Sequence, residues 1–420
     1  MKLLIKNALV FTGKTLRKKD IFCDNKIIVD NFEGCSPDEQ IDAEGLVASP
    51  GFIDLHTHLR EPGFTEKETI ATGTLAAIAG GFTTVCSMPN LNPVPDNKKN
   101  LNIQQKIINK NAKCKVLPFM SITKSRSGKK ITIPLKECVG ISDDGDGVQD
   151  FAIMAAAMKQ TKQNDSLISA HCEDKTLVAQ EGACIHDGFY AKNNNLPGIS
   201  SASEYAQIKR DLKLLKKNKC RYHICHISSK ESVELVRLAK SEGLPVTCEV
   251  TPHHLLLCQD DIRDDGKFKM APPLRAKEDR EALVQGILDG TIDAIATDHA
   301  PHEFDKKNKG LTGSAMGVVG LECAFSVLHT ELVLKNIITI EKLLSLLTFS
   351  PAKVIRANCG IYKGNSADIT LIDLKKKWKI NSQNFFSKGR STPFDGKEVT
   401  GKIIYTIVNG KIAYHQNKKL

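Results

Sequence analysis

The sequence predicts an α/β fold: a (β/α)8 barrel of the TIM type with a small β-sandwich built from both chain ends. Three observations predict it. From position 51 onward, short runs rich in β-branched residues alternate with helical patterns, the signature of repeated strand–helix units and a parallel sheet. Both chain ends read instead as short strands broken by polar turns. Side chains suited to a metal centre recur at the ends of apolar runs, where such barrels carry their chemistry.

Taken in order, residues 1–50 give short strands, and eight apolar runs follow, beginning near Phe52, Phe82, Lys115, Cys138, Leu167, Arg221, Pro245 and Asp293. Between the first two, the segment Lys67 to Gly81 has helical apolar spacing, and its closing glycines suit a left-handed C-terminal cap. Beyond the last run, Ala367 to Asp373 and Ile403 to Tyr414 are again strand-like, and Asn409-Gly410 between two apolar runs signals a tight hairpin. Neither end alone has enough strands for an independent core, so the two should pair. The expected division is residues 51–353 for the barrel, with 1–50 and 354–420 forming one composite β-sandwich.

Composition fits a globular enzyme. Of 420 residues, 41% are hydrophobic and 25% charged, which leaves ample material for a core. The formal net charge of +11 would permit nucleic-acid binding, but the lysines are scattered, with only short runs such as Lys375 to Lys377 and Lys418 with Lys419. No aromatic residues interleave with them to stack bases, so no nucleic-acid partner is expected. Thirteen cysteines without a C-x-x-C pair argue for reduced thiols, and Cys86, Cys172, Cys225 and Cys323 read as small core residues. The segment Met1 to Asn7 lacks an apolar stretch and a cleavage site, and no run approaches transmembrane length. A cytoplasmic protein with a small-molecule substrate and no membrane partner is expected.

Alternate residues of a strand share one face, so His56 and His58 can ligate one metal ion from one strand, with Arg60 following on the same side. Four further ligand candidates, Asp144, His171, His226 and Asp298, each close an apolar run. H-x-H alone is a weak signal, and a single histidine at a strand end is more often a satisfied core residue. Six such groups at strand ends point to a hydrolytic metal centre. A buried Asp298 beside a cation would be ionised, able both to ligate and to accept a proton. Asp143-Asp144-Gly145 is also ordinary turn chemistry, and the choice between its two aspartates is open. His223, three residues before His226, should face the other way as a structural histidine, and His253 and His254 stay unassigned.

These residues together resemble the amidohydrolase superfamily and, within it, bacterial-type dihydroorotases that use an aspartate where relatives carry a carboxylated lysine. The resemblance rests on Pro50 to Arg60, Gly80 to Asn90, Ser142 to Gly145, Ala170 to Glu173, Cys225 to Ser228, Met270 to Arg275, Thr297 to His302 and Ser391 to Phe394. It implies that His56, His58 and Asp298 hold one zinc ion and His171 and His226 a second, with Asp144 bridging; one or two zinc ions per chain fit, two being favoured. It further implies substrate contacts from Arg60, Asn90 and His302, with Met316 and Gly317 on a loop over the pocket. Ala271 departs from the pattern, standing where many members have asparagine.

The activity so implied is interconversion of (S)-dihydroorotate and N-carbamoyl-L-aspartate, the third step of UMP synthesis, with Asp298 as the proton-transferring group. Arg60 separates this from allantoinase- or dihydropyrimidinase-type chemistry, because a guanidinium fork suits the carboxylate that neutral cyclic amides lack. A catalytically silent scaffold is the alternative from another class, although all six ligand positions are filled. A homodimer and association with aspartate transcarbamoylase are compatible with the resemblance.

Overall fold

A computed structural model describes residues 1–178 and 182–417; Lys418 and Lys419 lie outside the described residues. Eight parallel strands form one sheet: Phe52–Thr57, Phe82–Ser87, Lys115–Met120, Gly140–Ile141, Leu167–Ala170, Arg221–Ile224, Val246–Val250 and Ala294–Ile295. Each falls at one of the eight predicted runs. The ring closes where Thr57 bridges His299 and the His58 amide donates to the His299 carbonyl at 2.9 Å. The closing contact therefore involves one predicted ligand, His58, and the neighbour of another, Asp298.

Helices pack outside the ring. The first, Ile70–Ala79, starts at a reciprocal Thr69/Thr72 capping box; Gly80 stays right-handed at φ −86° and Gly81 takes the left-handed position at φ 89°. Others are Lys98–Asn111, Phe151–Gln163, Ser201–Asn218, Lys230–Ser241 and Lys277–Asp289. The expectation of a helix after every strand fails once. Between the third and fourth strands the described residues hold only the single turn Lys124–Arg126, because that stretch, rich in Lys, Ser and Gly and ending near Pro134, lacks apolar residues at helical spacing. Arg126 of this turn reaches the site.

The two chain ends share one eight-stranded sheet. Lys2–Phe11 pairs with Leu16–Asp24 on one side, and Val47–Pro50 pairs with Ile369–Lys379, joining the N-terminal strands to the C-terminal ones. Alternating side chains of both halves, among them Leu3, Ile5, Ile21, Ile28, Ile369, Leu371 and Ile407, bury one separate core. Backbone bonds from Gly364 N to Ile28 O and from Ala367 N to Lys26 O draw the far edge back over it. Asn409 and Gly410, at φ 50° and 73°, make the expected tight hairpin between Glu398–Val408 and Lys411–His415; a side chain on Gly410 would overlap the Asn25 carbonyl. A further core inside the ring takes Ile53, Leu55, Phe119, Leu167 and Ala294 from the strands, Cys225 from just past one of them, and Val354 from the helix Phe349–Ile355.

None of the 13 cysteines is disulfide-bonded, and Cys86, Cys172, Cys225 and Cys323 are buried. No helix among the described residues is long and apolar enough to cross a membrane.

Candidate metal centre and active site

All six predicted ligands gather at the C-terminal mouth of the ring. His56 Nε2 lies 3.2 Å from Asp144 Oδ1 and 3.5 Å from Asp298 Oδ1, and His58 Nε2 lies 3.1 Å from Asp298 Oδ1 and 3.5 Å from Asp144 Oδ2. His171 Nδ1 and His226 Nε2 approach each other to 3.0 Å, each 3.8 Å from Asp144 Oδ1. Asp144 thus stands between the His56/His58 pair and the His171/His226 pair. Asp143 turns away and accepts bonds from the Ile122 and Thr123 amides at 2.8 and 3.1 Å and from the Thr123 hydroxyl.

Backbone geometry aims these groups. Arg60, His226 and Asp298 have φ of 59°, 30° and 47°, a region non-glycine residues rarely adopt, and each occurs just past a strand, where the chain turns across the mouth. Such conformations persist only where surrounding structure over-determines them. Gly317 contributes in another way: at φ 125° its Cα packs so close to Ala300 that an added Cβ would come within 2.7 Å of the Ala300 carbonyl. Its amide donates to Lys269 O at 3.0 Å, fixing the loop that carries Met316.

A cavity of about 330 Å³ opens over the cluster. His58, Asp144, His171, His226 and Asp298 line its floor, and Arg60, Asn90, Ala271, His302, Met316 and Gly317 contribute to its walls. His56 lies beneath, fully buried. Arg60 Nε donates to Pro301 O at 3.3 Å, and its Nη2 is 3.5 Å from His302 Nε2, so the guanidinium sits beside the imidazole at the rim. Asn90 Nδ2 donates to the Asp144 carbonyl at 2.9 Å and to Asp144 Oδ2 at 3.3 Å.

Electrostatics follow from this crowding. Burial disfavours a charge on His56, but Asp144, Cys225 and Asp298 together raise its pKa well above the ordinary value. Burial likewise opposes charge on Asp144 and Asp298, yet the neighbouring imidazoles hold both carboxyls below the usual range. Burial and the Arg60 charge push His58 down to about 4 and His302 down to about 3, so both rings are neutral near pH 7. Arg60 is lowered by burial to about 10 and keeps its charge there.

The residues fit a metal ion. His56 Nε2 and Asp144 Oδ1 are buried, face each other, and have no hydrogen-bond partner. Buried polar atoms seldom remain unpaired, and a cation would satisfy both at once. His56, His58 and Asp144 form one close group of ligand atoms, and Asp144, His171 and His226 another.

Sequence reasoning missed several supports. Asp54 is fully buried: Oδ1 accepts from the His56 and Thr297 amides, both at 3.1 Å, and Oδ2 from the Thr297 hydroxyl at 2.6 Å, tying the first strand to the eighth. Glu249, also fully buried, bonds His56 Nδ1 at 3.0 Å and His223 Nε2 at 3.1 Å, so His223 is structural, as expected. A carboxylate within a buried strand of the ring was the available signal for both. Arg126 donates to the Asp144 carbonyl and had no signal. His254 joins Thr251 Oγ1 to the Pro272 carbonyl and is also structural, while buried His253 Nε2 has no hydrogen-bond partner.

Comparison with known proteins decides the family. Residues 45–232 match the family model described as dihydro-orotase-like. A curated dihydroorotase of Bacillus pumilus is 46% identical over 427 aligned positions, covering 100% of this chain and 99% of that one. The chain belongs to the dihydroorotase family. A dihydroorotase of Bacillus cereus is 48% identical, covering 91% of this chain and 90% of its own. As a family member the protein is a hydrolase acting on cyclic amides. Among solved structures, an L-hydantoinase (dihydropyrimidinase) from Arthrobacter aurescens superposes with a TM-score of 0.88 at 23% identity, covering 100% of this chain and 97% of its own. A D-hydantoinase (dihydropyrimidinase) from Thermus sp. gives 0.83 at 24% identity, covering 100% and 96%. At that identity the likeness concerns the barrel and its appended sheet.

Proposed function

We propose that the protein interconverts (S)-dihydroorotate and N-carbamoyl-L-aspartate, the third step of de novo UMP synthesis, in the cytoplasm and with zinc as its metal. The observation that carries this reading is Arg60, charged at neutral pH, on the wall of the cavity that His58, Asp144 and Asp298 floor. A substrate reaching the metal residues brings its own carboxylate within range of the guanidinium fork, which neutral cyclic amides would leave unused. Residues 51–353 are the catalytic barrel in this reading, and 1–50 with 354–420 the accessory sandwich.

His56, His58 and Asp298 would hold one zinc ion and His171 with His226 a second, Asp144 being shared. Zinc in such a site supplies a Lewis acid for the carbonyl and lowers the pKa of water to about 7. The chain's own groups do the rest. Arg60, with Asn90 and neutral His302, binds and orients the substrate carboxylate, and Met316 and Gly317 cover the ring. Asp298, held ionised by the imidazoles around it, takes the proton from the attacking water through its carboxylate and delivers it to the departing ring nitrogen. Cyclisation runs the same transfer in reverse.

Purified protein should hydrolyse dihydroorotate and cyclise carbamoyl-aspartate while leaving dihydrouracil and hydantoin essentially untouched. Preference for the neutral rings would overturn the substrate assignment, and bound zinc without turnover of any cyclic amide would favour the scaffold reading. The same reading carries a homodimer and association with aspartate transcarbamoylase, which light scattering with and without that enzyme would detect.

A further inference from the structure

The two histidines of the H-x-H pair are held differently. His58 Nδ1 is buried without a hydrogen-bond partner, whereas His56 Nδ1 meets Glu249 Oε1 at 3.0 Å. The other oxygen of Glu249 meets His223 Nε2 at 3.1 Å, and His223 Nδ1 meets Thr247 Oγ1 at 2.8 Å. Glu249 and His56 are fully buried and His223 nearly so.

Proton positions along this chain follow from donor and acceptor counting. An ionised carboxylate only accepts, so both ring nitrogens facing Glu249 must carry hydrogen. His223 then presents Nδ1 as an acceptor, which the rotatable Thr247 hydroxyl satisfies. With Nδ1–H committed to Glu249, His56 turns Nε2 toward the cluster, where it faces Asp144 Oδ1 at 3.2 Å and a bound metal would take the place of its second proton. Cys225 packs against the same pair.

We propose that Glu249 is a positioning residue: clamped between His56 and His223, it fixes the tautomer and ring orientation of His56 and thereby sets the affinity of the centre for its metal. This rests on the metal-centre reading above. Carboxylates behind ligating histidines act in this way in general, and losing one typically weakens metal binding by about 10- to 100-fold. Here the carboxylate serves two histidines, so His223 and Thr247 belong to the same device although neither lines the cavity.

The test compares wild-type protein with Glu249→Gln, which keeps the volume but turns an amide N–H2 toward one ring N–H. Zinc affinity is measured by competition with a chromophoric chelator, the visible spectrum after cobalt substitution reports ligand geometry, and denaturant unfolding of the metal-stripped proteins reports the fold. We expect zinc affinity to fall about 10- to 100-fold and the cobalt bands to shift, with the stripped variant unfolding near wild type. Unchanged affinity and spectrum would overturn the proposal while leaving the metal centre intact; a loss of affinity matched by collapse of the stripped fold would overturn it in favour of a merely structural carboxylate. Failure of the wild type itself to bind zinc would remove the metal-centre reading as well. Should Glu249→Gln not fold, Thr247→Val removes only the far hydroxyl; a zinc-affinity loss of about threefold is then expected, and no loss overturns the proposal.

Discussion

Asp143 and Asp144 are joined by one peptide bond yet serve different parts of the molecule: Asp143 Oδ1 accepts the Ile122 amide at 2.8 Å, while Asp144 Oδ1 lies 3.2 Å from His56 Nε2. The split predicts opposite phenotypes. Asp144→Asn removes the shared charge between the two histidine pairs and should lower both bound zinc and turnover by about 100-fold or more, with little change in the stripped protein's unfolding. Asp143→Asn should leave zinc content near wild type but cost about 1–3 kcal/mol of stability, since its bonds to Ile122 and Thr123 are buried. Zinc analysis and denaturant unfolding of both variants check this, and the reverse pattern would exchange their roles.

Arg60 should govern binding rather than chemistry. Charge-assisted hydrogen bonds contribute about 1.5–3 kcal/mol, so Arg60→Ala should raise the Michaelis constant for dihydroorotate by about 10- to 150-fold with a smaller effect on kcat. Arg60→Lys should recover only part of this, because a point charge lacks the fork. Unaltered kinetics in Arg60→Ala would remove the carboxylate-recognition argument. His302, pushed down to about 3, should add no inflection to the kcat/KM profile between about pH 5 and 8.

What the sequence made legible was local or periodic. The eight strands announce themselves by β-branched runs, and Asn409-Gly410 by a turn chemistry that only residues tolerating positive φ provide. The candidate ligands were readable because each lies near or just past the end of a strand. The supports were not, because their meaning depends on partners far away in the chain: Glu249 acts on His56 across 193 positions and Asp54 on Thr297 across 243. The left-handed conformations of Arg60, His226 and Asp298 were equally hidden, since even Asp and His, which adopt positive φ more readily than most residues, do so only rarely. The missing helix before the fourth strand could have been read from the lack of apolar periodicity around Lys124 to Lys130.

Metal removal should affect stability as well as activity. Two carboxylates and four imidazoles converge in a buried space, and a cation bound only by the folded state stabilises it by about 4 kcal/mol when free metal exceeds its dissociation constant by about 1,000-fold. Dialysis against a chelator should abolish turnover and lower the thermal midpoint, and added zinc should restore both in a concentration-dependent way. Full activity after complete chelation would refute the metal centre.

Glu322 should impose a pH dependence of the opposite sign to that of an ordinary carboxylate salt bridge. Burial raises it from 4.5 to about 7, against the bonds it accepts from the Phe386 and Ser387 amides at 3.1 and 3.2 Å. With the folded pKa above the unfolded one, the native state binds the extra proton between those values. The contribution is therefore complete below pH 4.5 and is lost as pH rises through about 7. The difference corresponds to about 3 kcal/mol, reduced to about 2 because the side chain is partly exposed and screened. Glu322→Gln cannot ionise and keeps a carbonyl acceptor for one of the two amides, which bond different carboxylate oxygens. Denaturant unfolding should find it close to wild type at about pH 4.5 and more stable than wild type by about 2 kcal/mol at pH 8. Equal stability of the two proteins at both pH values would mean that this carboxyl titrates normally in the folded chain.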